Sequence, residues 1–165
     1  MNQKNIVLIG MPGAGKSTVG VLLAKAMKMP FSDTDLVIQE RENQALQEII
    51  DTAGLEQFLK IEERVVLQLT CKGHVIATGG SVIYGEAAMK HLKDHGVVVY
   101  LELPYLEVEQ RINNITTRGI AMGPGQSLLD IYKQRVPLYE KYADITVSCA
   151  GSSMEEVVEK IMRAL

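Results

Sequence analysis

Residues 4–18 read KNIVLIGMPGAGKST, and this stretch decides the fold. Residues 6–9 form a short apolar run that is typical of a buried parallel strand. From Gly10 onward the spacing fits G-x-x-x-x-G-K-[ST]. Glycines at these positions let backbone N–H groups approach phosphoryl oxygens, because a Cβ would obstruct the approach or forbid the dihedral angles. The stretch therefore predicts a loop that binds a nucleotide polyphosphate.

The end of this loop carries the side chains that phosphate chemistry requires. Lys16 can bring a positive charge to the β- and γ-phosphates, and Ser17 can offer its hydroxyl to Mg²⁺. Apolar residues from Val19 to Ala26 recur at helical spacing, so a helix follows and adds its N-terminal partial charge. The predicted nucleotide-binding residues of the loop are Gly13, Ala14, Gly15, Lys16, Ser17 and Thr18.

The composition narrows the class of protein. A length of 165 residues suits one domain, and a net charge of −3 gives no support for a nucleic-acid partner. Cys71 and Cys149 are too few for a disulfide framework. Residues 1–5 are polar and no apolar stretch is long enough for a membrane span, so we expect a cytoplasmic protein with no membrane partner.

Strand-like runs alternate with helical stretches along the chain. This alternation predicts a three-layer α/β domain with a five-stranded parallel sheet flanked by helices. The segment 116–126 contains three glycines and one proline without apolar periodicity, which predicts a mobile lid. The predicted strands cover residues 6–9, 29–33, 75–78, 97–101 and 145–147, and the longer predicted helices cover 55–69, 86–93 and 128–141.

Ligands of open parallel sheets collect beyond the carboxyl ends of the strands. The second predicted strand ends in Asp33 and Asp35, and the third ends in Gly79 and Gly80. One carboxylate can steady Mg²⁺ or its water shell, while the other can hold an acceptor hydroxyl and take its proton. The alternative is that Asp33 caps the next helix, that Asp35 is solvated in its first turn, and that the glycines form a simple tight turn.

Three arginines are further candidates, because phosphoryl transfer spreads negative charge over the transferred group. Arg118 opens the predicted lid, and Arg111 lies two helical turns earlier, where it could flank the nucleotide base. Arg135 lies where Pro137 is expected to interrupt a helix. Each arginine taken alone could equally be a solvated surface charge.

Together these positions resemble the shikimate kinase family, in the nucleoside-monophosphate-kinase branch of P-loop proteins. The resemblance covers almost the whole chain. It includes GMPGAGKST from Gly10, ATGG from Ala77, R-x-P-L-Y from Arg135, and a D-x-D at Asp33. It implies a single P-loop kinase domain over residues 1–165, with an acceptor-binding region at about 33–62 and a lid at about 116–126. The implied activity is transfer of the γ-phosphoryl group of ATP to a hydroxyl of shikimate, with Mg²⁺, in aromatic amino acid biosynthesis.

The resemblance also implies a role for each matched residue, and we expect a monomeric enzyme. The catalytic residues would be Lys16, Asp35 and the lid arginine Arg118. ATP would also contact Arg111, which packs on adenine, and Mg²⁺ would be served by Ser17 and Asp33. The acceptor would be bound by Asp33, Asp35, Gly79, Gly80 and Arg135. Among these, Arg135 would pair with the carboxylate of the acceptor.

The sequence departs from the family pattern at three positions. The family motif G-E-x-x-F-R supplies a second arginine for the shikimate carboxylate, and this chain has Leu59 at that position. Lys60 is adjacent but points about 100° away around a helix. Ser81 replaces a glycine, and in the third place the lid reads Arg118-Gly119-Ile120 where the family has arginine-proline-leucine.

Three hypotheses therefore remain open. The chain is a shikimate kinase, or it is a sister kinase whose acceptor lacks a carboxylate or holds it differently, which Leu59 favours. The third hypothesis is a nucleotide-binding regulatory module without phosphoryl transfer. Retention of Lys16, Asp33, Asp35 and Arg118 disfavours it, because binding alone needs few of these residues.

Overall fold

The computed structural model describes residues 3–113 and 119–165. Within this part a five-stranded parallel sheet has the strand order β2-β3-β1-β4-β5. The predicted three-layer α/β architecture with a five-stranded parallel sheet is confirmed. The strands are β1 (Asn5–Ile9), β2 (Phe31–Asp33), β3 (Val75–Ala77), β4 (Gly96–Glu102) and β5 (Ile145–Ser148).

Helices connect and flank the strands, and α1 packs against α8 while α4 packs against α5. A short 3₁₀ turn covers Val82–Tyr84. Among residues 3–113 and 119–165, none of the helices is both long and apolar enough to cross a membrane. The helices are α1 (Lys16–Met27), α2 (Thr34–Glu42), α3 (Leu46–Ala53), α4 (Leu55–Leu67), α5 (Glu86–His95), α6 (Tyr105–Asn113), α7 (Leu128–Tyr142) and α8 (Met154–Ala164).

Two expectations about local structure are wrong. β2 begins at Phe31 rather than at residue 29, because Lys28 adopts φ 56° and closes α1, and the Met29 amide still donates to Ala24. The expected interruption at Pro137 does not occur, since α7 continues through it to Tyr142. Proline removes one helical hydrogen bond. The burial of Arg135 and Tyr139 on either side holds the helix in place.

The core has two parts. The main cluster surrounds the sheet and includes β1, which is buried along its whole length. A smaller cluster lies between α2, α3 and α4 and is formed by Ile38, Ile49, Phe58, Ile61, Val65 and Ala121. This smaller cluster fixes the position of α4 relative to α2, and both helices contribute side chains to the site described below.

The N-terminus of α8 carries a capping box. Ser153 Oγ accepts a hydrogen bond from the Glu156 amide at 3.1 Å, and Glu156 Oε2 accepts one from the Ser153 amide at 3.1 Å. Two N–H groups that have no partner inside the helix are satisfied in this way. Because α8 packs on α1, this cap also supports the helix that follows the glycine-rich loop.

Replacement of Ser153 by alanine tests this cap. We expect Ser153→Ala to lower the free energy of unfolding by about 1 kcal/mol, since it removes the acceptor for the Glu156 amide. Urea denaturation of the native protein and the variant measures the change. Ser148→Ala, at an exposed position, is the control, and equal losses in the two variants would contradict a specific role for the cap.

Candidate active site

The glycine-rich loop joins β1 to α1 and needs glycine at two positions. Gly13 and Gly15 have φ values of 81° and 91°, where a side chain is strained. A Cβ on Gly15 would also lie 2.8 Å from Met154 Cε of α8. Because α1 begins at Lys16, its unpaired N-terminal N–H groups lie at the end of this loop, which suits an anion.

The loop borders a cavity of about 330 Å³ that extends to α2, α4 and α7. The segments 45–47, 78–81 and 119–121 complete its wall. Ala14 is buried behind the loop. The predicted site residues that line this cavity are Gly13, Gly15, Lys16, Ser17, Thr18, Asp35, Gly79, Gly80 and Arg135.

Lys16 is almost fully buried and lies across the loop. Its Nζ donates to the carbonyl oxygens of Gly10 at 2.7 Å and Met11 at 2.8 Å. These bonds compensate an ammonium group that would otherwise be costly to bury. The charge is therefore held at the loop that is predicted to receive phosphate groups.

Asp33 joins the loop to the start of α2. Its Oδ1 accepts a hydrogen bond from the Asp35 amide at 2.9 Å, so Asp33 caps α2. Its Oδ2 accepts a hydrogen bond from Ser17 Oγ at 2.6 Å. The part of the alternative in which Asp33 caps the next helix is thus confirmed, while its other oxygen accepts a hydrogen bond from Ser17 of the loop.

The pair formed by Ser17 and Asp33 fits Mg²⁺, which prefers oxygen ligands and usually keeps several waters and substrate phosphates. In the described part of the chain, no group of three or more His, Cys, Asp or Glu residues could hold a metal ion. A magnesium site with few protein ligands, shared with a nucleotide, suits this arrangement.

The turn after β3 leaves room between charged groups. A Cβ on Gly79 would lie 2.7 Å from Glu62 Oε2 and 2.8 Å from Asp35 Oδ1, and a Cβ on Gly80 would lie 2.9 Å from Arg135 Nη1. Tyr139 donates its hydroxyl to the Gly80 carbonyl at 2.6 Å and fixes this turn. The two glycines therefore keep space open between the carboxylates of Glu62 and Asp35 and the guanidinium of Arg135.

Arg135 extends from α7 and is 1% exposed. Its Nη2 donates to the Ala121 carbonyl at 2.7 Å, and its guanidinium carbon lies 5.5 Å from the centre of the Tyr84 ring. Its Nε has no hydrogen-bond partner among the described residues. A buried guanidinium with an unsatisfied donor beside a cavity is suited to binding a carboxylate or another anion.

Sequence reasoning missed Glu62, which is 2% exposed and lines the same cavity. Ser81 Oγ donates to Glu62 Oε1 at 2.7 Å, whereas Oε2 has no hydrogen-bond partner in the described part of the chain. Burial raises the pKa of Glu62 from 4.5 to about 7. The Ser81 hydrogen bond lowers this pKa, nearby Asp35 raises it, and the positive charge of Arg135 lowers it. Glu62 is therefore close to half ionised near neutral pH.

Leu59 does not line the main cavity. Its half-buried side chain packs against the smaller apolar cluster and lines an adjoining cleft, which shares Glu62 and Ser81 with the cavity. Lys60 is exposed and pairs with Glu56 at 3.4 Å on the helix surface. The expectation that Lys60 points away from the Leu59 direction is confirmed.

The remaining predicted residues lie near the loop or outside the described residues. Arg111 Nη1 donates to the Gly13 carbonyl at 3.1 Å, which places this guanidinium beside the loop. Arg118 and the rest of 116–118 lie outside the described residues. In the described part of the predicted lid, residues 119–121 line the cavity, and a Cβ on Gly119 would lie 2.6 Å from Leu46 Cβ of α3.

The raised pKa of Glu62 predicts a pH-dependent stability. From about pH 4.5 to about pH 7 the folded protein holds more protons at this carboxyl than the unfolded chain, so stability falls as pH rises through this range. The total loss should be roughly 3 kcal/mol. Glutamine does not titrate. The free energy of unfolding of Glu62→Gln, relative to that of the native protein, should therefore rise by this amount between about pH 4.5 and about pH 7.

Urea denaturation at several pH values between about 5 and 8 measures this difference. Glu56→Gln, which removes an exposed carboxylate from the same helix, should follow the native curve. Parallel curves for the native protein and Glu62→Gln would contradict the raised pKa.

Comparison with known proteins places this geometry in a family. The family model described as shikimate kinase matches residues 12–165. Shikimate kinase from Thermodesulfovibrio yellowstonii is 38% identical over 163 residues, which cover 97% of this chain and 94% of that protein. The solved structure of shikimate kinase from Acinetobacter baumannii in complex with shikimate superimposes with a TM-score of 0.90 at 32% identity, covering 98% of this chain and 92% of the other.

A longer protein is equally similar in sequence. Threonine synthase-like 1 from Homo sapiens is 38% identical over 168 residues, which cover 100% of this chain. The chain spans 23% of the length of that protein. The family model, the near-complete match to a bacterial relative and the shared fold agree, and this chain belongs to the shikimate kinase family.

Proposed function

We propose that this chain transfers the γ-phosphoryl group of ATP to a hydroxyl of shikimate. The observation that carries the proposal is one cavity bordered both by the glycine-rich loop, called the phosphate loop from here on, and by the proposed acceptor groups Asp35 and Arg135. Family membership and the relative described in complex with shikimate support the choice of acceptor.

The nucleotide half of the proposed site consists of the loop and the start of α1. Backbone N–H groups of the loop would bind phosphate oxygens, and Lys16 would exchange its bonds to the Gly10 and Met11 carbonyls for the β- and γ-phosphates. Ser17 and Asp33 would hold Mg²⁺, which when bound neutralises charge on the phosphates. Arg111 would lie near the base, since its guanidinium already contacts the loop at Gly13.

The acceptor half would orient shikimate by its opposite ends. The buried guanidinium of Arg135 would receive the carboxylate, and Asp35 would accept a hydrogen bond from the hydroxyl that attacks. As the hydroxyl oxygen bonds to the γ-phosphorus, the bond from that phosphorus to the β–γ bridging oxygen would break, ADP would leave with the electron pair, and the hydroxyl proton would pass to Asp35. The open space at Gly79 and Gly80 would admit the ring between these groups.

Several expectations remain predictions from the resemblance. We propose Arg118 as the cation that reaches the phosphates from the lid at about 116–126, with lid closure delivering it. We further propose that the enzyme acts as a monomer in the cytoplasm. The alternative of a regulatory module without transfer predicts ATP binding with no acceptor-dependent release of ADP.

Lys16→Ala should abolish phosphoryl transfer. The loss of a charge directed at the transferred group weakens the transition state more than the ground state, so turnover should fall by at least about 10³-fold. Coupled measurement of ADP release with saturating shikimate tests this, after circular dichroism has established that the variant is folded. Lys25→Ala, at an exposed position of the same helix, is the control, and near-native turnover of Lys16→Ala would exclude the proposed kinase mechanism.

Asp35→Asn should lower turnover while ATP affinity stays close to native. Asparagine keeps the shape of the side chain but cannot take the hydroxyl proton, so we expect a loss of roughly 10²–10⁴-fold in kcat. Titration with a fluorescent ATP analogue and steady-state kinetics separate the two effects. Asp51→Asn on exposed α3 is the control, and unchanged kcat in Asp35→Asn would show that Asp35 is only a solvated helix residue.

A further inference from the structure

The acceptor pocket contains a buried acidic group that the proposed shikimate reaction does not use. Glu62 Oε2 is buried and aimed at the space beside Gly79, where an added Cβ would lie 2.7 Å from it. Within the described part of the chain this oxygen accepts no hydrogen bond, while Oε1 is satisfied by Ser81. Nearly all buried polar atoms have partners, so this oxygen indicates a ligand group that donates to it.

The arrangement of charges around the turn at Gly79 and Gly80 defines which ligand group fits. Glu62 and Asp35 lie on the Gly79 side, and Arg135 lies on the Gly80 side. Among the described residues, this turn thus separates a carboxylate oxygen without a donor, Glu62 Oε2, from a guanidinium nitrogen without an acceptor, Arg135 Nε. A ligand that carries an ammonium group and a carboxylate on the same carbon matches this pair of opposite charges over a short distance.

Arg135 and Lys16 act on Glu62 through their charge, but within the described part of the chain no side chain donates a hydrogen bond to its Oε2. Leu59 is one helical turn before Glu62, on the same face of α4, and it is apolar. Lys60 is turned to the surface, where it pairs with Glu56. A ligand cation at Glu62 would therefore compensate a carboxylate that is otherwise costly to bury in its ionised form.

We propose that the pocket accepts, in addition to shikimate, small α-amino acids with a side-chain hydroxyl. The carboxylate lies on Arg135, the ammonium group donates to Glu62 Oε2, and the side-chain hydroxyl lies at Asp35. This inference rests on the proposed function, because Asp35 and the phosphate loop perform the same transfer to either acceptor. The hydroxyl oxygen bonds to the γ-phosphorus, the bond from that phosphorus to the β–γ bridging oxygen breaks, ADP leaves with the electron pair, and the hydroxyl proton passes to Asp35.

A panel of matched acceptors tests the role of the ammonium group. L-Serine, L-threonine and L-homoserine are assayed for acceptor-dependent ADP release beside shikimate, and phosphorus NMR identifies the phosphate ester. Glycerate, which has a hydroxyl where serine has its ammonium group, and serinol, which lacks the carboxylate, are the matched controls. We expect kcat/KM for at least one amino acid to exceed that of its hydroxy acid by roughly tenfold to a hundredfold, the value of a charge-assisted hydrogen bond.

Variants of α4 then test whether Glu62 causes the preference for the amino acid over its hydroxy acid. Glu62→Gln should bring the ratio of kcat/KM between the amino acid and its hydroxy acid close to one, while Glu56→Gln leaves the ratio as in the native protein. Leu59→Arg should also lower the ratio, by about tenfold, because a guanidinium one turn away pairs with Glu62 and displaces the ammonium group. This second variant keeps the test valid if Glu62→Gln fails to fold.

The pH dependence of KM provides a readout that a structural role of Glu62 would not give. KM for the amino acid should fall as pH rises through about 7, because the ammonium group requires ionised Glu62. The other titratable or charged groups around this carboxyl are Asp35, Arg135, Lys16 and Tyr139. These groups influence KM for both acceptors. The pH dependence of KM for the hydroxy acid, measured in parallel, therefore corrects for their contribution.

The outcomes separate this inference from the proposed function. Phosphorylation of shikimate with no preference for amino acids over hydroxy acids overturns the inference and leaves the proposed function intact. A preference that persists in Glu62→Gln also overturns it, since another group would then bind the ammonium. If no acceptor, shikimate included, is phosphorylated by the folded protein, the proposed function and the inference both fail.

Discussion

The pairing of β1 with β3 is the constraint on which both halves of the site depend. Thr78 donates to the Leu8 carbonyl twice, from its amide at 3.2 Å and from its hydroxyl at 2.8 Å. This register brings Gly80 beside the phosphate loop, where a Cβ on Gly80 would lie 2.8 Å from Pro12 Cδ. A shift of one residue would turn the side chains of β3 to the opposite face of the sheet and move the turn away from the loop. Phosphate and acceptor groups share one cavity because this register is fixed.

In the acceptor half, buried charged side chains lower the stability of the protein, and the fold alone does not explain why they are there. Glu62 and Arg135 are both almost fully buried, and within the described residues each leaves one polar atom without a hydrogen bond. Burying such charges destabilises a protein unless partners compensate them. Part of this cost of burial is compensated by contacts with Ser81, Ala121 and Tyr84. Side chains that remain incompletely satisfied in a cavity are expected where a ligand completes the interactions.

The strand, loop and helix of the nucleotide half could be predicted from the sequence because they are contiguous. A strand, a glycine-rich turn and a helix within residues 5–27 determine it, and each has a local signal. For Asp33 the two interpretations were not exclusive, since one oxygen caps α2 and the other binds Ser17. The boundary at Phe31 was missed because it depends on how α1 ends at Lys28, which apolar spacing does not reveal.

Glu62 was missed although a signal was present. Phe58, Glu62 and Val65 fall on one face of α4 and all three are buried, so the carboxylate lies within the apolar stripe of the helix. Helical spacing alone places it there, but the role of a charge on such a stripe depends on the residues that face it. Those residues come from α2, α7 and the turn after β3, and no local pattern connects them.

This difference between the two halves has a consequence for specificity. The glycine-rich loop should tolerate little change, because its backbone conformation and its proposed phosphate contacts depend on the same few residues. The acceptor groups are single side chains on separate elements that the two apolar clusters hold in place independently of their charge. Substitutions such as Leu59 and Ser81 can therefore change which charges the pocket leaves unpaired without changing the fold. In this chain Ser81 satisfies one oxygen of Glu62, and no group among the described residues donates to the other, which is why we propose a donor carried by the ligand.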